Sequence, residues 1–321
     1  MKNHIVVTGA TGNTGQLVAE ELLRRKVPFV AMARTDKAKR KLAERGIPTV
    51  HGDFDDPKSL VKALEGADKA YLVCTPDHMV GPRETAFVHA ADKAKVKHVV
   101  KCSAYWAGLD APSGNLRSHG RIERALTDSG LPYTILRPHG FMQTFTLFSW
   151  DLIQKAGVLT YPGGDGAIPL VDVRDVAKVA VKALTEKGHE GKAYDLTGPK
   201  MLTFHEVADT LTNVLGKRVV YMPGNEKAFA AMMILMGVPA TPREHVATVA
   251  RLQREHNMGK VESTLRDLGI EPTTYDQFAR DYASGKTAGG NSFEPPDTLF
   301  AKLVSRVMPP MMRLMMRLQS G

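Results

Sequence analysis

Two cysteines in 321 residues, Cys74 and Cys102, cannot build a disulfide framework, which excludes the small disulfide-stapled secreted folds. The chain also lacks a long apolar run. The most apolar short run, "AMMILMGV" over 231–238, cannot cross a bilayer. No signal peptide is expected, because a strand-like segment begins within a few residues of Met1. Long runs of one charge are missing too, and "KAKRK" over 37–41 is the notable basic cluster. The net charge of +9 therefore favours anionic ligands or surfaces, with no nucleic-acid partner expected. No metal site and no internal repeat are expected. The chain reads as cytoplasmic, and its 43% apolar content is enough for a sizeable core.

What is present is alternation. β-branched and apolar runs at 4–9, 28–34, 48–53, 69–75, 97–104 and 132–138 read as strands. Helical patterns separate them, one carrying Leu17, Val18 and Leu22, others at 37–46, about 57–65, 82–95 and about 117–129. Strands and helices of these lengths imply right-handed crossovers and a parallel sheet covered on both faces. After 139 the rhythm breaks, with helices at 141–155 and 172–184, a strand at 192–198 and mostly helix from 199 to about 284 apart from "RVVYM" over 218–222. The expected fold class is α/β, a Rossmann-like doubly wound parallel sheet with a smaller, mostly helical substrate lobe. Residues 1–157, continued by 166–197, form the dinucleotide-binding domain. Residues 139–165 and 198–284 form the lobe, and 285–321 a linker and tail.

The residues just after each strand carry the chemistry of such a sheet, because ligands bind at the carboxyl ends of the strands. In "TGATGNTG" over 8–15, Gly9 permits a tight turn, Gly12 lets a pyrophosphate approach the backbone and Gly15 lets the helix pack on the sheet. Thr11, Asn13 and Thr14 belong to the same cradle at a helix N-terminus. Arg34 stands at the end of the second strand, followed by Thr35, Lys37 and Lys39. A guanidinium there suits a 2′-phosphate, so NADP(H) is expected, with NAD(H) the alternative. Asp53 and Phe54 after the third strand are placed to accept from and stack on adenine. Asp56 reads as a helix cap, with Pro57 at the first helical position. Thr75 and Pro76 after the fourth strand, and Ser103 after the fifth, face the nicotinamide half. Cys74 and Cys102 lie near neighbouring strand ends, and buried strand cysteines are commonly inert, so no role is assigned to them. Tyr105, Phe141, Met142 and Phe145 are expected to line an acceptor pocket, with Tyr161 and "PGG" over 162–164 as a mobile rim.

Five segments carry a family resemblance: "TGATGNTG" (8–15), "GDFDDPKSL" (52–60), "SHGRIERALTDSGLPYTILRP" (118–138), "VDVRDVA" (171–177) and "YDLTGPKMLTFHEVADTLTNVLGKRVVY" (194–221). With them the chain resembles the NmrA-like branch of the atypical short-chain dehydrogenase/reductase superfamily, and within it the bacterial quinone oxidoreductases of the second type and the triphenylmethane reductases. The resemblance implies an NADPH-preferring reductase of a quinone-like or conjugated acceptor, or a non-catalytic NADP(H)-responsive regulator. The superfamily's usual proton donor is a tyrosine four residues before a lysine. Here that helix carries His119 and Glu123 at the same spacing, on one face. His119 is therefore read as a proton donor or a ribose or substrate contact, or else as a structural histidine. Glu123 is read as its catalytic companion or as a partner of Arg121, Arg124 or a ribose hydroxyl.

Beyond the family pattern, apolar residues recur at helical spacing over 299–318, with Lys302, Arg306, Arg313 and Arg317 among them. This tail is expected to dock on the body, to self-associate or to lie on an anionic membrane surface. A monomer or homodimer is expected.

Overall fold

A computed structural model describes the backbone of residues 4–235 and 237–285, with the side chains of 145–149, 151 and 235 outside the description. The tail over 299–318 and most of the linker lie outside the described residues.

The core is a parallel sheet. Strands β1 (His4–Val7), β2 (Phe29–Ala33), β3 (Thr49–His51), β4 (Ala67–Leu72), β5 (His98–Cys102) and β6 (Tyr133–Pro138) alternate with helices. The helices are α1 (Asn13–Arg24), α2 (Asp36–Ala43), α3 (Pro57–Leu64), α4 (Val80–Lys93) and α5 (Gly114–Asp128). Then come α6 (Met142–Ala156), β7 (Val158–Tyr161), α7 (Val173–Thr185), β8 (Lys192–Leu196), α8 (Phe204–Leu215) and β9 (Val220–Pro223). The last elements are α9 (Glu226–Leu235), α10 (Ala240–Arg254), α11 (Thr264–Asp267) and α12 (Tyr275–Ala283). Seven strands pair in the order β3-β2-β1-β4-β5-β6-β8, every pair parallel. The order reverses at β1, so a crevice opens between the carboxyl ends of β1 and β4.

Alternate side chains leave the sheet on opposite faces. Val7, Ala31, Val100 and Leu136 meet Val18 and Leu22 of α1 and Val176 and Ala180 of α7 in one core. Val6, Ala70, Leu72, Val99 and Ile135 meet Leu60 of α3, Phe87 of α4 and Leu126 of α5 in another. A third core lies around Leu159, Tyr161, Phe204, Leu211, Tyr221 and Phe278.

Local signals set the helix ends. Asp56 caps α3 by accepting from Lys58 N at 3.0 Å, with Pro57 at the start of the helix. Ser113 caps α5, which begins at Gly114, three residues ahead of the expected start. Thr203 and Glu206 form a reciprocal capping box on α8. Gly46, at φ +69°, follows the end of α2.

The structure adds a small sheet that the sequence pattern had not marked in full. β7 pairs in parallel with β9, Leu159 opposite Tyr221. It also overturns the mobile rim. Tyr161 is buried between Phe204 (4.8 Å) and Phe229 (5.7 Å) in the third core. A Cβ on Gly163 would sit 2.5 Å from Gln253 Oε1, so "PGG" is packed on α10.

Candidate functional site

The turn after β1 is shaped by two glycines for internal reasons. Gly9 has φ +61°, and a Cβ there would meet Val73 Cγ1 at 2.6 Å. A Cβ on Gly15 would meet Gly9 O at 2.4 Å and Thr8 O at 2.7 Å, so α1 rests directly on the turn. Gly12 differs. Its φ is −100°, and the nearest atom to an added Cβ is Gly9 O at an ordinary 3.4 Å. Among the described residues nothing requires glycine at this position, so the turn is open to a ligand approaching from outside. No side chain caps α1, whose first N–H groups have no intrahelical acceptor. The helix end therefore offers an anion its N–H groups and its positive dipole. Thr11 is exposed and Asn13 half-buried, whereas Thr14 is buried and can offer outward only its backbone N–H.

Around this turn the other strand ends gather. Arg34 is 60% exposed, its Nη1 only loosely met by Asp53 Oδ1 and Asp55 Oδ2, both at 4.0 Å. Asp55 is instead held by Arg83, with two contacts of 2.7 Å, so the Arg34 fork stays available. Lys39 pairs with Asp36 at 3.1 Å, an exposed contact of little strength. Asp53 accepts from Asp55 N at 3.0 Å, and the half-buried Phe54 packs on Phe87 at 5.8 Å. Thr75 and Pro76 are exposed after β4. These residues supply a helix end without a side-chain cap and an open glycine, which fit a pyrophosphate, and an exposed, loosely paired guanidinium, which fits a 2′-phosphate.

The interior of the site departs from expectation at Glu123. Its partners are neither Arg121 nor Arg124. Arg124 binds Asp128 at 2.7 Å. Glu123 accepts from Ser103 Oγ at 2.5 Å and from Arg137 Nη2 at 2.5 Å and Nε at 3.0 Å. The carboxylate thus ties β5, α5 and β6 together, and Ser103 is committed to it. His119, one turn earlier, is 8% exposed and lies 3.3 Å from Lys101 Nζ through Nδ1. Burial, then the Lys101 charge, hold His119 well below the ordinary imidazole value, so it is neutral. Lys101 itself is fully buried and paired with the equally buried Glu84 at 2.7 Å.

Past β5, Tyr105 donates to Glu262 Oε1 at 3.2 Å, with its ring against Trp106 (5.0 Å) and His139 (4.9 Å). Burial, then Glu262, push its phenol up to about 12, so it holds its proton. Trp106 has φ +61°, a rare conformation for a bulky residue that tends to cluster at functional sites. Phe141 is half-buried at the start of α6. Met142 has no exposure and belongs to the third core, which removes it from the expected pocket wall. The Phe145 side chain lies outside the described residues. Cys102 is buried, and burial pushes the Cys74 thiol up to about 12. Among the described residues, no cluster of His, Cys, Asp and Glu is placed to hold a metal, and no helix is long and apolar enough to cross a membrane.

Lys101, Glu84, Arg137, Trp106 and Glu262 were not read as site residues in the sequence. Lys101 had a signal, a lone cation inside the otherwise apolar strand "HVVKC", which burial obliges to find a partner. The others had none, because their partners come from distant elements.

The model of the NmrA-like family matches residues 1–279. The chain belongs to the NmrA-like family. Its relatives include an NAD(P)H azoreductase from Xenophilus azovorans, 32% identical over 283 residues, covering 87% of this chain and 98% of that protein. Quinone oxidoreductase 2 of Escherichia coli is 34% identical over 241 residues, covering 73% and 82%. Among solved structures, the NADP(H) complex of triphenylmethane reductase from Citrobacter sp. superposes with a TM-score of 0.77 at 30% identity, covering 87% of this chain and 99% of that one. This NmrA-like chain carries the glycine turn at the switch point of its parallel sheet.

Proposed function

We infer that this protein is an NADPH-preferring oxidoreductase that reduces a quinone-like or conjugated small molecule. The observation that carries the reading is the open Gly12 turn at the uncapped N-terminus of α1 beside the exposed, loosely paired fork of Arg34, in an NmrA-like chain similar to NAD(P)H-dependent quinone and dye reductases. NADPH supplies a hydride, and with one solvent proton a quinone becomes a hydroquinone, leaving NADP+. This chain's part is to bind and orient. The α1 N–H groups hold the pyrophosphate, Arg34 the 2′-phosphate, and Asp53 with one face of Phe54 the adenine. Thr75 and Pro76 flank the nicotinamide. Ser103 and Glu123 set the β5–α5 geometry, and His119 lends a hydrogen bond. Tyr105, Trp106 and Phe141 offer apolar surface to a flat acceptor, and the helical lobe over 139–165 and 198–284 covers it. Such electrophilic acceptors need orientation more than acid catalysis, which agrees with a site lacking the tyrosine–lysine pair.

A second reading, a non-catalytic NADP(H)-binding regulator, is favoured by one observation. The nearest proton carriers, His119 and Tyr105, are both held in their neutral forms. NADPH oxidation followed by absorbance against quinones, azo dyes and triphenylmethane dyes separates the two. Turnover is expected, and Arg34→Glu should lower kcat/KM for NADPH about 10–100-fold while sparing NADH. Tight NADPH binding with no acceptor consumed at any pH supports the regulator instead.

A further inference from the structure

We propose that Lys101, braced by Glu84, is a positioning residue that locks His119 as a neutral Nε2–H hydrogen-bond donor facing the cleft at the carboxyl end of the sheet. The inference rests on the functional reading only in naming what the donor meets.

Strand β5 sets the direction of the lysine. Val99 lies on the sheet face covered by α3, α4 and α5, and Lys101, two residues on, shares that face. Its ammonium therefore enters a space walled by α4 and α5 with no route to water, and it has 0% exposure. An ammonium has three N–H donors and no acceptor. Three groups surround it: Glu84 Oε2 at 2.7 Å, an ion-pair partner without hydrogen-bond geometry, the Cys102 carbonyl, and His119 Nδ1 at 3.3 Å. An ammonium can offer Nδ1 only an N–H, so Nδ1 accepts, which assigns the remaining ring proton to Nε2. The other carboxylate oxygen of Glu84 accepts from Cys74 N at 2.8 Å, so the brace reaches the end of β4, next to Thr75.

The Nε2 side is different. Nε2 is not among the buried polar atoms left without a partner, and no described protein group hydrogen-bonds to it, so the ring's small exposed fraction includes it. In a βαβ crossover the helix runs back along its strand, so the N-terminal half of α5 lies at the carboxyl end of the sheet. His119 stands there, one turn before Glu123, whose carboxylate grips Ser103 just past the end of β5. The charged and titratable groups around the ring are Lys101 from β5, Glu84 from α4, Glu123 with Arg137 of β6, and His245 of α10, which is hydrogen-bonded to Ser113. A second proton on His119 would put two buried cations 3.3 Å apart. The residue is thus a fixed donor, suited to a carbonyl oxygen or a ribose hydroxyl, and a poor proton relay. Reduction of an acceptor would then draw its second proton from solvent.

Multiple-bond 1H–15N spectra of the histidine rings test this in the resting protein, with His119 assigned by comparison with His119→Gln. The wild type should show one pattern from pH 8 to pH 5.5, with Nδ1 unprotonated and Nε2 protonated. NADP+ should move the Nε2 resonance. The double variant Lys101→Met/Glu84→Gln removes both charges together and leaves no lone buried ion. It should show mixed tautomers at His119, with kcat reduced about tenfold or more and KM for NADPH little changed. An Nδ1–H tautomer or an imidazolium in the wild type overturns the proposal. So does a pure Nε2–H pattern surviving in the double variant, or an Nε2 signal indifferent to saturating NADP+. Failure to oxidise NADPH with any acceptor would instead defeat the reductase reading, since the tautomer is read without turnover.

Discussion

At the scale of single residues, the three glycines of the first turn are unequal, and their substitutions should separate cleanly. A methyl on Gly15 has nowhere to go, because two carbonyl oxygens stand within 2.7 Å of it. Gly15→Ala should cost about 3 kcal/mol of stability by overpacking. Gly12 has room for a methyl within the protein, so Gly12→Ala should cost under about 1 kcal/mol, the weaker cap that alanine makes. The same methyl would stand where the phosphate approaches, and NADP(H) binding should weaken about tenfold or more. Thermal unfolding and calorimetric titration of the two variants check both halves. Equal losses of affinity and stability in each would show that the two glycines share one role. Their spacing is legible in the sequence, and their different duties are not, since those depend on which atoms the fold brings opposite.

At the scale of elements, Asp172 shows how one residue joins several. It is fully buried and caps α7, accepting from Arg174 N at 2.8 Å. It also accepts from Gln143 Nε2 of α6 at 2.9 Å and from the Arg174 guanidinium, which reaches on to Asp281 of α12 at 2.6 Å. Asp172→Ala should destabilise the protein by about 2–4 kcal/mol, from the lost cap and the unpaired Gln143 amide. Asp172→Asn, which can still cap, should lose less. Denaturant midpoints of the two variants decide the order, and an alanine variant as stable as the asparagine one would contradict it. The "VDVRDVA" motif announces the helix. It does not announce that α6 and α12 depend on its first turn. The main strands and helices were readable from periodicity and caps. The β7–β9 pair was harder, because strands of four residues, one flanked by glycine and both ending at proline, carry little pattern.

At the scale of the whole molecule, buried histidines set the acid limit. Burial pushes His98 down to about 4 and His139 down to about 3, and holds His119 well below 6.5. Above pH 6.5 these rings are neutral in the folded and unfolded chains, and they contribute nothing to the pH dependence. Below it the unfolded chain takes up protons that the folded chain refuses, so stability falls as pH falls. Each neutral ring contributes on the order of 1 kcal/mol per pH unit through this window. Most carboxylates titrate at about 4.5 or below, so histidines dominate the interval from 6.5 to 4.5, with Glu84 and Asp195, whose carboxyls burial raises, acting in the opposite sense. Urea midpoints at pH 8, 7, 6 and 5 should be level at first and then drop. A flat profile down to pH 5 would mean that the rings protonate within the fold.

The sequence by itself determined the class of fold and the place of the glycine turn after β1, and it set Arg34 at the end of β2, where a phosphate is expected. These follow from local chemistry: hydrophobic period, glycine placement, and the charge at a strand end. Only the tertiary structure decided which partners the interior groups take. Glu123 meets Arg137 and Ser103, His119 meets Lys101, and Met142 and Tyr161 leave the expected acceptor surface for a core. The reason is physical. A buried charge must find its counter-charge wherever packing brings one, and neighbours across a sheet or between helices are set by layers, not by distance along the chain.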